Sequence, residues 1–208
     1  MGSRKTYSGR LAPSPTGLLH LGHAATFWTA YSRAQKSGGT LLLRNEDLDP
    51  QRSKQEFVDA MLEDLDWLGS AWAPPMVVQS QRLTLYREAF ERLLARCFAY
   101  PCSCSRKDLS LMVAAPQEEA DDEPVYDGRC RPHGEAASPA MQDATNYRFR
   151  VPEGEAVRFA DGNTGAQEFV ARRDFGDFLI WRKDGLPSYQ LACVVDDAAT
   201  GVTEVVRG

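Results

Sequence analysis

Apolar and polar positions in the first seventy residues alternate between short hydrophobic runs and longer amphipathic ones. A strand is predicted to end near Ala12, and a helix is predicted to start near Gly22 and to stop at Gly38. The run TLLLR from Thr40 is short, apolar and unbroken, which is typical of a buried strand. A second amphipathic helix follows Ser53. This order predicts an α/β domain.

A third helix is predicted from about Ser80 to Phe98. The apolar positions of its inner face recur at spacings of four, three and four: Tyr86, Phe90, Leu93 and Cys97. Cys97 is therefore predicted to be a core residue.

The pattern changes at Tyr100-Pro101. A polar segment follows, for which we predict a short helix capped by Ser105 and Asp108, and then an acidic, exposed and mobile loop. From Asn146 onwards the runs are strand-like: NYRFRV, QEFVARR, DFLIWRK, SYQLACVV and TEVVRG.

Three parts of the chain follow from this change of pattern. Residues 1–100 are predicted to form the first part of an α/β nucleotide-binding domain, and residues 101–145 an insertion. Residues 146–208 are predicted to return to the nucleotide-binding domain as its second part.

Composition narrows the class of protein. The chain of 208 residues carries 24 basic and 29 acidic residues, a net charge of −5, which argues against a protein that simply coats nucleic acid. A local basic patch remains compatible with that balance. No apolar run approaches the roughly 18 residues that span a bilayer.

Three of the five cysteines lie in one polar region, so we expect a cytoplasmic chain with one metal candidate rather than a disulfide scaffold.

The segment RLAPSPTGLLHLGH joins the first strand to the first helix. Backbone N–H groups at a helix N-terminus bind anions, Gly22 leaves room beside the backbone, and His20 and His23 can donate hydrogen bonds to a phosphate. A metal is the alternative ligand, although it needs a third protein ligand that this segment lacks. Two surface histidines at a helix cap are the remaining alternative.

A second candidate site lies in the polar region. Cys102 and Cys104 form a two-ligand turn, and Cys130 is a third thiol. A closed tetrahedral zinc site needs a fourth ligand, for which Tyr126 and His133 are the candidates; chemistry alone favours histidine. Three unrelated cysteines in a reducing compartment are the alternative.

Three blocks of the chain resemble a known family. RLAPSPTGLLHLGH resembles the signature of class I aminoacyl-tRNA synthetases, whose His-x-Gly-His element holds ATP, and its fuller pattern resembles the glutamyl/glutaminyl branch. LLLRNEDLDPQR resembles the Leu-Arg-x-Glu-Asp-x-Asp segment of that branch, and DGLPSYQLACVVDDAATGVTEVVRG resembles the far side of the same active site. The resemblance implies a Rossmann-like class I catalytic domain with an inserted zinc-bearing subdomain.

Within the branch, YQLACVVDDAATGVTEVVRG resembles short paralogues that lack the anticodon-binding domain. This implies ATP-dependent activation of L-glutamate to glutamyl-adenylate, with Mg²⁺ accompanying ATP, and transfer to the queuosine base at the wobble position of tRNA(Asp). It also implies a monomer and no membrane partner. The N-terminal part of an ordinary glutamyl-tRNA synthetase, which charges tRNA(Glu), and a non-catalytic paralogue that binds RNA or an amino acid stay as alternatives.

The resemblance also implies the roles of individual residues. It places glutamate at the matched positions Arg10, Leu11, Ala12, Pro13, Ser14, Glu46, Tyr189 and Arg207. Arginine forks suit the carboxylates, and Glu46 suits the α-ammonium group. The ATP residues are His20, Gly22 and His23, of which the two histidines are also the catalytic residues.

For the metal, the queuosine-directed pattern Cys-x-Cys … Tyr-x-x-x-Cys selects a structural zinc site with four ligands: Cys102, Cys104, Tyr126 and Cys130. His133 is the alternative fourth ligand. The second signature of the family, Lys-Met-Ser-Lys-Ser or a variant, is absent from the sequence. We therefore expect a truncated chain that is weakly active by itself.

Overall fold

The computed structural model describes residues 6–104, 126–132 and 141–207. The described residues form two compact units. The first holds the residues up to Leu85 and those from Ala192 on, and the second holds Tyr86–Leu191.

Two of the sequence predictions fall outside the described residues. They are the capping box at Ser105 and Asp108, with the acidic loop after it, and the alternative zinc ligand His133. The predicted boundaries of the insertion, 101 and 145, stay predictions.

The first unit is a parallel α/β layer. Its elements in chain order are β1 (Ser8–Leu11), α1 (Leu21–Lys36), β2 (Thr40–Asn45), α2 (Gln55–Trp67) and β3 (Ala73–Val78). The sheet has the order β1-β2-β3, and both pairings are parallel. Each helix connects two neighbouring parallel strands, which confirms the predicted α/β class.

The core of the first unit lies between the sheet and its helices. The inner face of α1 repeats at helical spacing, and β2 is apolar because a parallel strand is covered on both faces. The buried residues are Leu11, Phe27, Ala30, Ala34, Leu41, Leu43, Val58, Met61 and Leu65. This packing fixes the position of the segments that follow β1 and β2.

Strand β3 was not predicted, because Pro74 and Pro75 interrupt its apolar pattern. It lies at one end of the strand order, where a residue that cannot donate a ladder hydrogen bond is tolerated.

The third helix is shorter than predicted. A 3₁₀ turn (Gln79–Arg82) precedes α3 (Leu83–Ala95). Cys97 lies beyond the helix with a φ of 59° and is only half-buried, so the prediction that it is a core residue is wrong. The reason is that the backbone turns into the left-handed region after α3 and carries Cys97 off the helical face.

The second unit is antiparallel. Its strands in chain order are β4 (Ala99–Cys102), β5 (Asn146–Phe149), β6 (Ala156–Asp161), β7 (Gly165–Val170) and β8 (Leu179–Trp181). They form a sheet of order β4-β5-β8 and a hairpin of β6 with β7. Phe90 stacks on Trp181 at 4.8 Å between ring centroids and meets Tyr147 edge-on at 5.0 Å. These rings pack in the core of the unit.

The last two strand predictions are wrong. SYQLACVV belongs to a helix, α4 (Tyr189–Thr200), and TEVVRG has no regular secondary structure. The buried residues Ala192, Cys193 and Asp196 recur at helical spacing, a period hidden in sequence by the β-branched residues between them. Thr203 N–H donates to the Ser8 carbonyl at 2.8 Å, so the final segment is tied to β1 at one point. Along the described ranges, none of the helices is both long and apolar enough to cross a membrane.

Candidate active site and metal centre

The first candidate site lies at the carboxyl ends of β1 and β2. Leu11 and Pro13 are buried, Ala12 is half-buried, and Ser14 is exposed. The Glu46 N–H donates to the Pro13 carbonyl at 3.0 Å, and the Ser14 hydroxyl lies 3.4 Å from Glu46 Oε2. This edge of a parallel sheet is where ligands bind in open α/β folds. The structure therefore brings the residues after both strands together.

Glu46 is a buried carboxylate held by a buried arginine. Its Oε1 accepts hydrogen bonds from Arg44 Nε at 3.2 Å and Nη2 at 2.9 Å, and the Cys193 thiol donates to the same oxygen at 3.3 Å. Burial opposes the charge of Arg44, but the Asp197 hydrogen bond and the charge of Glu46 outweigh it and raise the pKa of Arg44. The pair is therefore a fixed charge rather than a mobile surface one.

Arg10 is the second buried cation of this site. Its side chain is 9% exposed, and its Nε lies 3.3 Å from Asp197 Oδ1. Within the part of the chain that the structure describes, this Nε–H has no hydrogen-bond acceptor at suitable geometry. Asp197 accepts instead from Arg44 Nη1. An inward guanidinium with an unsatisfied donor is suited to a carboxylate ligand.

A further carboxylate completes the charged network. Asp196 is fully buried and accepts from Gln79 Nε2 at 2.9 Å and from Arg82 Nε at 2.8 Å. Together with the pairs above it balances three arginines with three carboxylates: Arg10, Arg44 and Arg82 with Glu46, Asp196 and Asp197.

The two histidines form the N-terminal cap of α1. His20 Nδ1 accepts from the Gly22 N–H at 3.1 Å, and His23 Nδ1 accepts from the His20 N–H at 3.2 Å. An acceptor Nδ1 places the proton of a neutral imidazole on Nε2, so both rings are Nε2–H donors. A Cβ on Gly22 would lie 2.9 Å from His20 Cε1, so the glycine makes room for the imidazole itself.

The rings of His20 and His23 lie 3.9 Å apart between centroids. Burial, and then the neighbouring charge of His20, lower the pKa of His23. The cap therefore favours the neutral form of His23.

Two further predicted glutamate-binding residues lie near the end of the chain. Tyr189 is the first residue of α4, belongs to the second unit and is half-exposed. Arg207 is exposed and follows Val206, which packs against the core of the first unit. The hydrogen bonds and ion pairs among the described residues do not connect Arg207 with Arg10 or Glu46, so both roles stay predictions.

The second candidate site is a thiol cluster in the second unit. The Sγ atoms of Cys102, Cys104 and Cys130 all lie within 4.8 Å of one another. The Cys104–Cys130 separation is 3.5 Å. Ligands about 2.3 Å from a tetrahedral zinc ion lie about 3.8 Å apart, so the thiols are spaced for one metal ion.

Tyr126 supplies an oxygen to the same cluster. Its hydroxyl lies 3.4 Å from Cys104 Sγ and 3.7 Å from Cys102 Sγ, and it accepts from the Cys130 N–H at 3.1 Å. Burial, followed by hydrogen bonds to the thiols, raises the pKa of this phenol. Burial also raises the pKa of Cys130, but hydrogen bonds, led by the one with Tyr126, outweigh it and lower that pKa to about 6. Three sulfurs and one oxygen thus fit a four-coordinate metal.

Sequence reasoning missed Arg82 and four other members of the first site: Arg44, Cys193, Asp196 and Asp197. Arg44 stands within the matched block LLLRNEDLDPQR but was read only as part of a strand. The last three lie on α4, where a strand prediction could not place them on one face. The available signal was two consecutive acids in an apolar run, which on a helix predicts buried ion pairs.

A family model described as "tRNA synthetases class I (E and Q), catalytic domain" matches residues 7–208. The glutamyl-Q tRNA(Asp) synthetase of Neisseria gonorrhoeae is 43% identical over 97% of this chain, and that of Chromobacterium violaceum is 44% identical over 99%. This chain spans 66% of the length of each. The Rhodobacter capsulatus protein of the same name is 42% identical, and 75% of it is covered.

Solved structures agree with the family match. A glutamate tRNA ligase of Elizabethkingia meningosepticum, in complex with its amino acid, has a TM-score of 0.78 at 27% identity, with 98% of this chain and 44% of that chain covered. The glutamate-tRNA synthetase of Elizabethkingia anophelis gives 0.79 at 26% identity, with the same shares covered. The chain therefore belongs to the class I tRNA synthetases of the glutamate and glutamine group, as part or all of their catalytic domain.

Proposed function

We propose that this chain activates L-glutamate with ATP, forming glutamyl-adenylate and pyrophosphate, and transfers the glutamyl group to the queuosine base at the wobble position of tRNA(Asp). The observation that carries the proposal is the match to relatives named glutamyl-Q tRNA(Asp) synthetase, at 43% and 44% identity over nearly the whole chain. The buried charges at the ends of β1 and β2 supply a chemical reason for an acidic amino acid.

Glutamate carries two carboxylates and one ammonium group, a net charge of −1. The network of three arginines and three carboxylates is balanced, so a further cation has to meet the added negative charge. Arg207 is the predicted source of that cation. Arg10, with its unsatisfied donor, takes a carboxylate, and Glu46 takes the ammonium group with help from Ser14. Glutamine would leave the arginine that meets the side-chain carboxylate without its counter-charge, which disfavours it.

The ATP phosphates are assigned to the start of α1. His20 and His23 offer Nε2–H donors, and the helix N-terminus adds a partial positive charge. Donors held in place before reaction stabilise the charge that develops on the α-phosphate when the glutamate carboxylate attacks it. Pyrophosphate then leaves with the accompanying Mg²⁺.

A structural zinc ion is assigned to the thiol cluster. Cys102, Cys104, Cys130 and Tyr126 would hold it, and the ion would cross-link the end of β4 to the segment 126–130. The predicted insertion 101–145 would then be anchored at this point.

The test is pyrophosphate exchange with glutamate and ATP, followed by glutamyl transfer to three RNAs: tRNA(Asp) with queuosine, tRNA(Asp) without it, and tRNA(Glu). We expect exchange in the absence of tRNA and transfer only to the queuosine-containing RNA. Transfer only to tRNA(Glu), with exchange that requires this RNA, would instead identify an ordinary glutamyl-tRNA synthetase. Glutamate binding without exchange would identify a non-catalytic paralogue.

A further inference from the structure

Arg148, on β5, is a buried cation beside the thiol cluster and is 7% exposed. Its Nε–H donates to Cys102 Sγ at 3.3 Å. Its guanidinium carbon lies 3.9 Å from the centroid of the Tyr126 ring. One arginine therefore contacts two of the four ligands assigned to zinc.

The remaining contacts of Arg148 fix its position without neutralising it. Its Nη1 donates to the Asp177 carbonyl oxygen at 2.9 Å. The carboxylate of Asp177 is used elsewhere, since it accepts from Arg131 at 2.6 Å and from the Tyr100 hydroxyl at 2.7 Å. Within the described ranges, Arg148 has no carboxylate at ion-pair distance. A buried cation of this kind needs negative charge from another source.

The thiol cluster supplies that charge when it holds a metal. Three thiolates around one divalent cation leave an excess negative charge in a largely desolvated site. The guanidinium of Arg148 offsets this charge through a charge-assisted hydrogen bond to Cys102 and a cation–π contact with Tyr126. The cost of burying either charge alone falls when the two are adjacent.

We propose that Arg148 is a positioning residue of the metal centre: it orients Cys102 and Tyr126 and balances the charge of the thiolates, so that the cluster holds zinc more tightly than its four ligands alone. This inference rests on the zinc site proposed above. Arg172 adds a second restraint, since its Nη1 donates to the Tyr126 carbonyl at 3.4 Å.

The test compares zinc affinity, by competition with a chromophoric chelator, in the original chain and in Arg148→Met and Arg148→Lys. Loss of an outer-shell partner costs about 10- to 100-fold in metal affinity, and we expect a loss of this size for Arg148→Met. Arg148→Lys keeps the charge but not the planar fork, so we expect a smaller loss. The matched control is Arg158→Met, which removes an exposed arginine of β6 that pairs with Glu168. We expect its zinc affinity to be unchanged.

Two further measurements separate a metal effect from a folding effect. Each protein is unfolded by heat with zinc and without it. We expect the decrease in Tm caused by Arg148→Lys to be larger with zinc than without it. With cobalt in place of zinc, loss of the hydrogen bond to Cys102 should move the sulfur-to-metal charge-transfer band to lower energy. Unchanged zinc affinity in Arg148→Met would overturn the inference. So would an equal decrease in Tm with and without zinc together with an unmoved cobalt band. If the original chain binds no zinc, the metal site itself fails and the inference with it.

Discussion

The site at the end of β2 depends on one carboxylate whose two oxygens have different partners. Oε1 of Glu46 is engaged by Arg44 and Cys193, whereas among the described residues Oε2 meets the Ser14 hydroxyl alone, at 3.4 Å. The second oxygen therefore has capacity for a ligand ammonium group, and the first keeps the side chain in place. The orientation of this residue is what the proposed function requires of it.

Replacing Glu46 by glutamine tests that role. A hydrogen bond to a charged group contributes about 1.5–3 kcal/mol, so we expect kcat/KM for glutamate in pyrophosphate exchange to fall roughly 10- to 100-fold. The control is Glu56→Gln, which removes an exposed carboxylate paired with Lys54 and should leave kcat/KM unchanged. An unaltered kcat/KM in a folded Glu46→Gln protein would remove Glu46 from the site.

Asp177 is a buried carboxylate that joins several polar contacts of the second unit. Its buried carboxylate accepts from Tyr100, from Arg131 and from the Val151 N–H at 3.0 Å. In Asp177→Asn, the side-chain NH₂ would face one of the donors whose hydrogen bonds the carboxylate accepts. The negative charge opposite Arg131 would also be lost. We expect a destabilisation of about 3 kcal/mol, because breaking a buried ion pair leaves an uncompensated charge.

Urea unfolding measures this change as a lower midpoint at constant slope. Asp184→Asn is the matched control, since that carboxylate is exposed and pairs with Arg182. We expect its effect to stay within about 0.5 kcal/mol. Equal midpoints for the two variants would contradict the role given to Asp177.

At the scale of elements, the N-terminal cap of α1 makes a contribution to stability that depends on pH. Each imidazole acts as a hydrogen-bond acceptor in the cap, so protonation of His23 at Nδ1 would remove the acceptor for the His20 N–H. The unfolded chain takes up this proton at the ordinary pKa of about 6.5, whereas folding lowers the pKa of His23. The contribution to stability is thus fully present above about pH 6.5 and is lost as the pH falls through the unfolded and then the folded value.

An NMR titration of the His23 ring protons is expected to give a midpoint below 6.5. Hydrogen exchange of the first turn of α1 should accelerate as the pH falls, after correction for intrinsic exchange. His23→Asn keeps a side-chain acceptor without titrating near neutrality, and it should remove this pH dependence. A midpoint at or above 6.5 would show that burial does not govern the cap.

The elements also show which sequence patterns are dependable. Strand β2 and helices α1 and α2 were predicted correctly. The strand has an unbroken apolar run, and each helix repeats its apolar positions over several turns, so each pattern fits one type of element. Helix α4 was predicted as a strand, because its valines and apolar residues have high β-propensity and its period is short. Propensity was overridden there by the tertiary contacts of its buried residues, among them Asp196 with Gln79 and Arg82.

At the scale of the whole molecule, the two units carry different kinds of site. The first holds the charged network on a parallel sheet, and the second holds the thiol cluster on an antiparallel one. Each unit has its own buried core, so removal of the metal is expected to loosen the second unit, which holds the thiol cluster.

Chelation of zinc tests that expectation by hydrogen exchange. Without the cross-link, amides of β4 and of segment 126–130 should exchange faster, whereas those of β1 and β2 should keep their rates. Cys104→Ser should reproduce the pattern without a chelator. As a control, Cys193→Ser, outside the cluster, should still respond to chelator in β4. Faster exchange spread evenly over both units would contradict a local structural role for the metal.

The sequence by itself determined β1, α1, β2 and α2 of the first unit, the family, and part of each candidate site. These are encoded in short spacings: apolar periods, the His-x-Gly-His cap, and cysteines two residues apart. Only the tertiary structure brought Asp197 to Arg44 and Cys193 to Glu46, and set Arg148 against Cys102. Partners separated by up to 153 residues in the chain leave no periodic signal in sequence. Their meeting depends on packing, which decides where each buried charge finds its counter-charge.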